Sequence, residues 1–323
     1  MNLEPLSTWD LAQLIRVKEL SPTEVVAETL ENITRRNPSL NAVVYRRDED
    51  VMAQAKESEQ AVMRGDPLGP LHGVPTLLKD LSGSSPGWRT SYGGVEPLLG
   101  LSDEGYSPFS RRIQQAGSIV VGKTNSPVMG FRGTCDNYLF GPTRNPFDLS
   151  KNSGGSSGGA AAAVADGMVS FAEGSDGGGS IRIPAAWCGV YGFKPSWGRF
   201  PVIRRPNAFI AAPFTAEGPI TRTVRDAALI VDVVSGHDSK DPFSSPTNGS
   251  AISVLTNPLT GVRVAYSSNF SISPVATEVR RVCAAAATDL ERAGALVESV
   301  DVDRGEHQQP LPDFGFRVTA RME

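Results

Sequence analysis

The sequence predicts an α/β protein in which helices cover both faces of a central mixed β-sheet. Segments with apolar residues at helical spacing alternate along the chain with short apolar runs, and this alternation is typical of helices packed on a parallel or mixed sheet. The chain has 323 residues, 40% of them hydrophobic and 20% charged, which is enough to bury a large core. Since no internal repeat or low-complexity linker divides it, we expect a single domain over residues 1–323.

Residues 1–65 are expected to form a helical flank ahead of the core. A serine followed by proline, or by an acidic residue three positions on, is a typical helix start, because it suits the unpaired N–H groups of the first turn. The elements expected here are a helix opened by Ser7 and Asp10, a helix from Ser21 and Pro22 to Asn37 and Pro38, a strand over 40–46 and a helix over 48–64.

Residues 66–300 are expected to form the catalytic core. Short apolar runs between glycine-rich turns predict strands, and longer amphipathic stretches predict helices. The last of these helices has six apolar side chains on one face, namely Val275, Val279, Val282, Ala286, Leu290 and Ala293. The expected order is strand 73–80, loop 83–106, helix 107–116, strand 118–122, helix 160–167, strand 168–173, helix 222–235, strand 262–266, helix 274–293 and strand 295–300.

The composition argues against several classes of partner. A net charge of −4 and a pI near 5.6 give no basic surface for nucleic acid or an anionic membrane. No apolar run reaches about 18 residues, and the segment Met1–Trp9 lacks the basic and apolar parts of a signal peptide. We therefore expect a cytoplasmic enzyme that acts on a small molecule, with a homodimer as one open alternative.

The cysteines are expected to be reduced. Cys135, Cys188 and Cys283 are odd in number and lack metal-like spacing. We expect neither a metal nor a cofactor, and a catalytic thiol stays an alternative.

One short motif has to be weighed against its usual meaning. Residues 117–124, GSIVVGKT, match the phosphate-binding pattern GxxxxGK[ST]. That pattern needs a flexible loop across its four variable residues and a helix that starts at the lysine. Here the variable residues are Ser-Ile-Val-Val, and Pro127 follows soon after Lys123. We interpret the stretch as a strand.

The stretch from Lys151 to Ser196 is the strongest functional signal. Eleven of the chain's 33 glycines fall in residues 154–192, around the serines Ser156, Ser157 and Ser180. Glycine lets the backbone adopt positive φ, and successive N–H groups of such a loop can converge on one oxygen. A serine there can attack a carbonyl while the N–H groups stabilise the oxyanion. The spacing predicts a serine acyl-transfer site.

The general base is expected to be a lysine. His72, His237 and His307 all lie far in sequence from the glycine-rich stretch, although His72 stays an alternative base. Lys79 ends the apolar run Val-Pro-Thr-Leu-Leu, where burial can lower its pKa from ~10.4 toward ~7–8, as a base requires. Asp80 should point to the opposite face of this strand. A buried salt bridge is the alternative interpretation of Lys79.

The order of motifs resembles the amidase signature family, the Ser-cisSer-Lys amide hydrolases. The resemblance spans roughly residues 7 to 300. The matching motifs are GVPTLLKD at 73–80, GKTN at 122–125, TRNP at 143–146, GGSSGG at 154–159 and GSDGGGSIRIPAAWCGVYGFKPS at 174–196. Within the family, GVPTLLKDL and TRNPF also resemble bacterial hydrolases of aminohexanoate cyclic dimers and related aryl-amide or carbamate cleavers. The family fold is the mixed α/β sheet expected above.

The resemblance implies a role for each matched residue. Ser180 would be the nucleophile, Ser156 the bridging serine after a cis peptide from Gly155, and Lys79 the terminal base. The oxyanion would be held by the backbone N–H groups of Gly177, Gly178, Gly179 and Ser180. Ser157 and Asp176 would orient the site, with Arg182 paired to Asp176; a turn serine that bonds its own loop is an equal interpretation of Ser157.

The sequence departs from the family pattern at two places. Gly177 stands where family members commonly have a larger residue, which can loosen the oxyanion loop. The chain also stops at Glu323, where the family usually continues, so the C-terminal part is expected to be missing. Six aromatic residues on neighbouring segments are candidates for an apolar pocket or for the core, namely Trp88, Tyr92, Phe131, Tyr138, Phe209 and Phe214.

The function implied is hydrolysis of carboxylic amides through an acyl-enzyme on Ser180, with carbamates or aryl esters as further substrates. Two alternatives stay open. The first is the amidase subunit of a tRNA-dependent amidotransferase, which passes ammonia to a partner. The second is a catalytically silent binding protein of the same fold.

Overall fold

The computed structural model describes residues 6–203, 214–247, 249–270 and 274–301. Contacts divide the chain into two compact units, Met1–Ser253 and Val254–Glu323. The expectation of one domain stays a prediction.

Eight α-helices lie within the described residues. Their bounds are α1 Thr8–Arg16, α2 Pro22–Leu40, α3 Asp48–Arg64, α4 Pro108–Gln115, α5 Gly158–Ala165, α6 Arg182–Cys188, α7 Val224–Val234 and α8 Thr277–Arg292. Within the described ranges, no helix is long and apolar enough to cross a membrane.

Ten strands also lie within the described residues. Their bounds are β1 Val43–Tyr45, β2 Pro75–Lys79, β3 Ile119–Thr124, β4 Arg144–Asn145, β5 Asp148–Asn152, β6 Phe171–Asp176, β7 Tyr191–Gly192, β8 Ala216–Thr221, β9 Arg263–Tyr266 and β10 Leu296–Ser299.

The first unit is built on a six-stranded mixed sheet in the order β1-β3-β2-β6-β8-β7. The central strands β3, β2 and β6 are parallel, whereas β1, β8 and β7 pair antiparallel with their neighbours. Every residue of β2, β3, β6 and β8 is buried. Since successive side chains of a strand point to opposite faces, both faces of the sheet are covered. The predicted mixed α/β architecture is confirmed.

Helix α5 packs against β2, β3, β6 and β8. Its sequence, GGAAAAVA, is almost free of large side chains, and residues 158–164 are all buried. A Cβ placed on Gly159 would lie 2.5 Å from the backbone nitrogen of Asn125 and 2.6 Å from the carbonyl oxygen of Ala42. Glycine at this position therefore lets the first turn of α5 lie against the backbone that follows β3.

The helical flank matches the prediction except at the end of α2. Ser7 closes a capping box with Asp10, and Ser21 caps α2. The prediction that α2 ends at Asn37-Pro38 is wrong, because the helix runs to Leu40 with Pro38 inside its last turn. Asn41 then stops it in a left-handed conformation with φ 54°. A proline this near the end removes an N–H donor from only the final turn.

The second unit contains a βαβ arrangement. Strands β9 and β10 are parallel, and α8 connects them. All three elements were expected, with ends displaced by a few residues. None of the residues of α8 is buried, so its predicted apolar face is largely exposed within the described chain.

Strand β8 was not expected from the sequence, because Ala-Glu-Gly-Pro-Ile-Thr contains two residues that disfavour strands. It pairs with β6 over six positions, from Phe171–Thr221 to Asp176–Ala216. This pairing extends β6 beyond the predicted strand 168–173, as far as Asp176. The short elements β4, β5, β7 and α6 were also not expected.

Candidate active site

Lys79 is the last residue of β2, and its side chain is fully buried. Its Nζ donates hydrogen bonds to Ser156 Oγ at 2.7 Å and to Ser175 Oγ at 3.0 Å. Ser175 lies on the adjacent parallel strand β6, while Ser156 lies in the loop before α5. The structure therefore joins Lys79 to Ser156 across 77 residues of sequence, as the motif order predicts.

Ser156 follows a cis peptide bond from Gly155, as expected. A Cβ placed on Gly155 would lie 2.5 Å from the carbonyl oxygen of Thr134, so the loop after β3 leaves no room for a side chain there. On the other side, a Cβ on Gly130 would lie 3.4 Å from Ser156 Oγ. The segment 130–134 is therefore a wall of the site.

Asp176 organises the loop that contains Ser180. This carboxylate accepts the backbone N–H of Gly179 at 2.7 Å and that of Ile181 at 3.1 Å. Arg182 donates from Nε and Nη2 to its two oxygens, each at 2.9 Å, and forms the predicted ion pair. Burial alone would raise the pKa of Asp176, but the Arg182 hydrogen bonds and these backbone donors lower it below its ordinary value.

One predicted oxyanion donor is engaged elsewhere. The Gly179 N–H donates to Asp176 at 2.7 Å, with Gly179 at φ 124°, so this donor already has a partner. Gly177 and Gly178 are exposed, and a Cβ on Gly177 would make only an ordinary contact with Thr215 Oγ1 at 3.4 Å. Position 177 thus has room for a Cβ atom.

Ser157 ties the two serine loops together. Its N–H donates to the carbonyl oxygen of Ser180 at 3.1 Å, and its Oγ exchanges hydrogen bonds with the backbone of Ser175, each at 3.2 Å. Ser180 itself is half-buried. The arrangement places Ser156 and Ser180 on loops joined by backbone hydrogen bonds.

Sequence reasoning missed a buried carboxyl group beside Lys79. Glu173 Oε2 accepts the backbone N–H of Lys79 at 3.1 Å, and Oε1 accepts Ser82 Oγ at 2.8 Å. Burial raises the pKa of Glu173, against the lowering effects of these hydrogen bonds and of the charges of Lys123 and Lys79. The available signal was a lone glutamate inside an apolar strand.

A second buried group holds the loop that follows Lys79. Asp80 accepts hydrogen bonds from the backbone N–H of Ser91 at 2.7 Å and from its hydroxyl, in line with the prediction that Asp80 points away from Lys79. Burial raises the pKa of Asp80, although the Ser91 hydrogen bonds oppose it. Lys123 is fully buried on β3 and donates to Asp103 at 3.2 Å, to Thr90 and to the Gly83 carbonyl, so the GxxxxGK match is a strand as interpreted.

The described histidines bond to other groups, and the aromatic candidates differ in burial. His72 Nε2 lies 2.9 Å from the carbonyl oxygen of Ser58 in α3, and the contacts of His237 are with Ser244. His307 and Phe209 lie outside the described residues. Trp88 is buried edge-on to Tyr45, whereas the other described aromatic candidates are exposed, namely Tyr92, Phe131, Tyr138 and Phe214.

All three cysteines are free, as expected. Burial raises the pKa of Cys135, and it raises that of Cys188 to about 12, so neither thiol is readily ionised. Across the described part of the chain, no cluster of three or more His, Cys, Asp or Glu side chains suits a metal ion.

Two curated relatives are similar in sequence to nearly the whole chain. An acylamidase of Rhodococcus erythropolis is 40% identical over 311 residues, which is 96% of this chain and 64% of the relative. A glutamyl-tRNA(Gln) amidotransferase subunit from Carboxydothermus hydrogenoformans is 35% identical over 314 residues, again 96% of this chain and 64% of the relative.

Two solved structures are similar in fold to nearly the whole chain. A bacterial aryl acylamidase described as one of the amidase signature (AS) enzymes has a TM-score of 0.89 at 47% identity, covering 92% of this chain and 61% of its own. A 6-aminohexanoate cyclic dimer hydrolase solved with substrate has a TM-score of 0.82 at 33% identity, covering 93% of this chain and 61% of its own.

The chain thus spans less than two thirds of the length of these relatives, 64% of the two curated ones. The family model described as Amidase matches residues 24–317, a range that includes every residue of the site above. The chain therefore belongs to the amidase family, the amidase signature enzymes.

Proposed function

We propose that this protein hydrolyses carboxylic amides through an acyl-enzyme formed on Ser180. The observation that supports this most is the 2.7 Å hydrogen bond from the buried Lys79 Nζ to Ser156 Oγ, next to the cis peptide at Gly155. A neutral lysine in that position can accept a proton through a bridging hydroxyl. Membership of the amidase family supports the same reaction.

In the proposed reaction, Ser180 Oγ attacks the substrate carbonyl carbon and passes its proton to Ser156, whose own proton goes to Lys79. The relay then runs in reverse, and Ser156 gives a proton to the leaving amine. Water hydrolyses the acyl-enzyme by the same path. With Gly179 bonded to Asp176, the N–H groups proposed for the oxyanion are those of Gly177, Gly178 and Ser180.

The test is labelling of the full chain with a fluorophosphonate, followed by peptide mapping. Wild type should be labelled on Ser180, and Ser180→Ala should lose all labelling while it keeps its thermal unfolding midpoint. Ser156→Ala should be labelled slowly, by a factor of at least ~100, because its relay is lost but its nucleophile remains. A label on another residue would refute the assignment.

The substrate class is proposed from the neighbours. The names acylamidase and aryl acylamidase favour an acyl group joined to an amine, an aryl amine included, and the cyclic dimer hydrolase adds cyclic amides as a second choice. Carbamates and aryl esters are further proposed substrates, because each could also react through a covalent intermediate on Ser180. Turnover of matched aryl amides, carbamates and esters by the unlabelled wild-type enzyme would rank them.

The second candidate is the amidase subunit of a tRNA-dependent amidotransferase, which the 35% identity to a subunit of such an enzyme favours. It predicts glutaminase activity only in a stable complex with another protein chain. Turnover of an aryl amide by the purified chain alone would decide for the hydrolase. A silent binding protein is disfavoured by the intact contact of Lys79 with Ser156. A cytoplasmic location and a homodimer stay predictions.

A further inference from the structure

Glu173 lies on β6, the strand that pairs in parallel with β2, which ends at Lys79. It precedes Ser175 by two residues on β6, so the two side chains project from the same face. Ser175 Oγ accepts a hydrogen bond from Lys79 Nζ at 3.0 Å. A buried carboxyl group therefore stands beside the base proposed above.

The contacts of Glu173 hold the turn that follows Lys79. Its two oxygens accept the Lys79 N–H at 3.1 Å and Ser82 Oγ at 2.8 Å, and the Gly83 N–H closes the turn on the Lys79 carbonyl at 3.2 Å. A Cβ on Gly83 would overlap Glu173 Oε2. The backbone is thus shaped to admit this carboxyl group.

Several other titratable groups share this environment. Burial is the main influence on Glu173, followed by Ser82, the Lys79 N–H and then the positive charges of Lys123 and Lys79. The buried residues of α2 are uncharged, and α5, the other helix on β2, contains no titratable residue. Further titratable groups on the neighbouring elements are Asp80 after β2, Asp176 at the end of β6, Glu217 opposite Ser175 on β8, Cys135 in the loop after β3, and Asp103, which pairs with Lys123.

We propose that Glu173 is a positioning residue of this site, which holds the Lys79 backbone by a hydrogen bond and, once it is ionised, favours the ammonium form of Lys79 by opposite charge. The proposal rests on the proposed function in taking Lys79 as the base. Glu173 thereby sets the pH at which Lys79 becomes able to accept a proton from Ser156.

The test is Glu173→Gln in the full chain. The glutamine oxygen can accept the Lys79 N–H and its amide can donate to Ser82 Oγ, so both hydrogen bonds survive while the charge is removed. Lys79 is titrated directly by NMR with ¹³C-labelled lysine, its signal assigned by its absence in Lys79→Met. Asp226→Asn is the matched control, because Asp226 is a buried carboxyl group that accepts the Trp9 N–H on another element.

The Lys79 titration midpoint should fall by about one pH unit or more in Glu173→Gln and stay unchanged in Asp226→Asn. The rate of Ser180 labelling should rise with pH as Lys79 loses its proton, and the midpoint of this rise should move down by the same amount. A purely structural Glu173 would leave both unmoved, and an unchanged Lys79 midpoint overturns the proposal. Glu173→Met, which also removes the charge, replaces the glutamine variant if circular dichroism shows that the latter is unfolded.

The NMR titration separates this inference from the proposed function. A lowered midpoint without any labelling of Ser180 would support the pairing of Glu173 with Lys79 and refute the hydrolase. Labelling of Ser180 with an unchanged midpoint would support the hydrolase and refute the role of Glu173.

Discussion

At the scale of single residues, the first unit buries an unusual number of charged side chains around the ends of β2, β3 and β6. Lys79, Lys123, Asp80, Glu173 and Asp176 are all buried, and each has hydrogen-bond partners. An unpaired buried charge would cost several kcal/mol, so such groups persist only where partners compensate them. Many of their partners lie in loops, among them Ser156, Ser91 and Gly179, so these charges help to fix the loops that form the site.

Asp176 gives a prediction with a defined pH dependence. In Asp176→Asn an amide N–H₂ must face one of the donors from Gly179, Ile181 or Arg182, so the variant should lose about 2 kcal/mol or more of unfolding free energy at neutral pH. The folded pKa of Asp176 is lowered, so the carboxylate's contribution is complete above about pH 4, the usual unfolded value, and is lost as the pH falls through the folded pKa.

Urea unfolding of both proteins between about pH 3 and 7 measures this. The difference between wild type and Asp176→Asn should be constant at the upper end and shrink at the lower end. The control is Asp50→Asn, whose side chain is 52% exposed beside Arg47 and should change the unfolding free energy by less than about 1 kcal/mol. A difference independent of pH would contradict the low pKa of Asp176.

At the scale of elements, the site depends on how closely α5 approaches the sheet. The small residues of α5 allow its first turn to contact the backbone after β3, and this places Ser156 and Ser157, just before the helix, beside β2 and β6. A helix with large side chains on that face would stand farther away, since packed helices and sheets leave no spare volume.

Gly159→Ala tests this approach. The new methyl group would meet the backbone of Asn125 and Ala42 rather than a flexible side chain, so it should cost about 1–3 kcal/mol of stability. It should also slow the labelling of Ser180 as Ser156 shifts. Gly133→Ala, with nothing within 4 Å of its Cβ, should stay within about 0.5 kcal/mol of wild type. Equal stability of the two variants would show that α5 can move without cost.

At the scale of the whole molecule, burial is uneven between the two units. The first unit contains almost all the buried apolar side chains of the described chain, whereas the second contains only Ala295. The apolar face of α8 matches the pattern of a packed helix but is exposed within the described residues. Helical periodicity alone therefore does not show that a face is buried.

A pair of substitutions should show this asymmetry. Leu77→Ala, at a fully buried position of β2, should lower the unfolding free energy by about 2–5 kcal/mol, because it leaves a cavity in the sheet. Val282→Ser, at a position of α8 that is 58% exposed, should change it by less than about 1 kcal/mol. Thermal and urea unfolding would measure both, and a large loss from Val282→Ser would mean that this face is covered in solution.

The sequence by itself determined the family, the α/β class and the residues proposed for the chemistry, because these depend on local spacing and on motifs that can be read in order. The helix caps Ser7 and Ser21 and the helix over 48–64 could be predicted for the same reason, because caps and helical periodicity are properties of neighbouring residues. The pair of Lys79 and Ser156 came from motif resemblance rather than from spacing.

Only the tertiary structure decided which distant residues surround that pair. Three contacts show this: the hydrogen bond of Glu173 with the Lys79 N–H, that of Asp80 with Ser91, and the ion pair of Lys123 with Asp103. Each joins segments that are distant in sequence, so no local pattern specifies it. The tertiary structure also decided that β8 forms from a segment with glycine and proline, because six cross-strand pairs with β6 outweigh its weak propensity. The Gly179 N–H, expected to bind the oxyanion, donates to Asp176 in the structure. A buried carboxylate needs hydrogen-bond donors, and this one lies within reach.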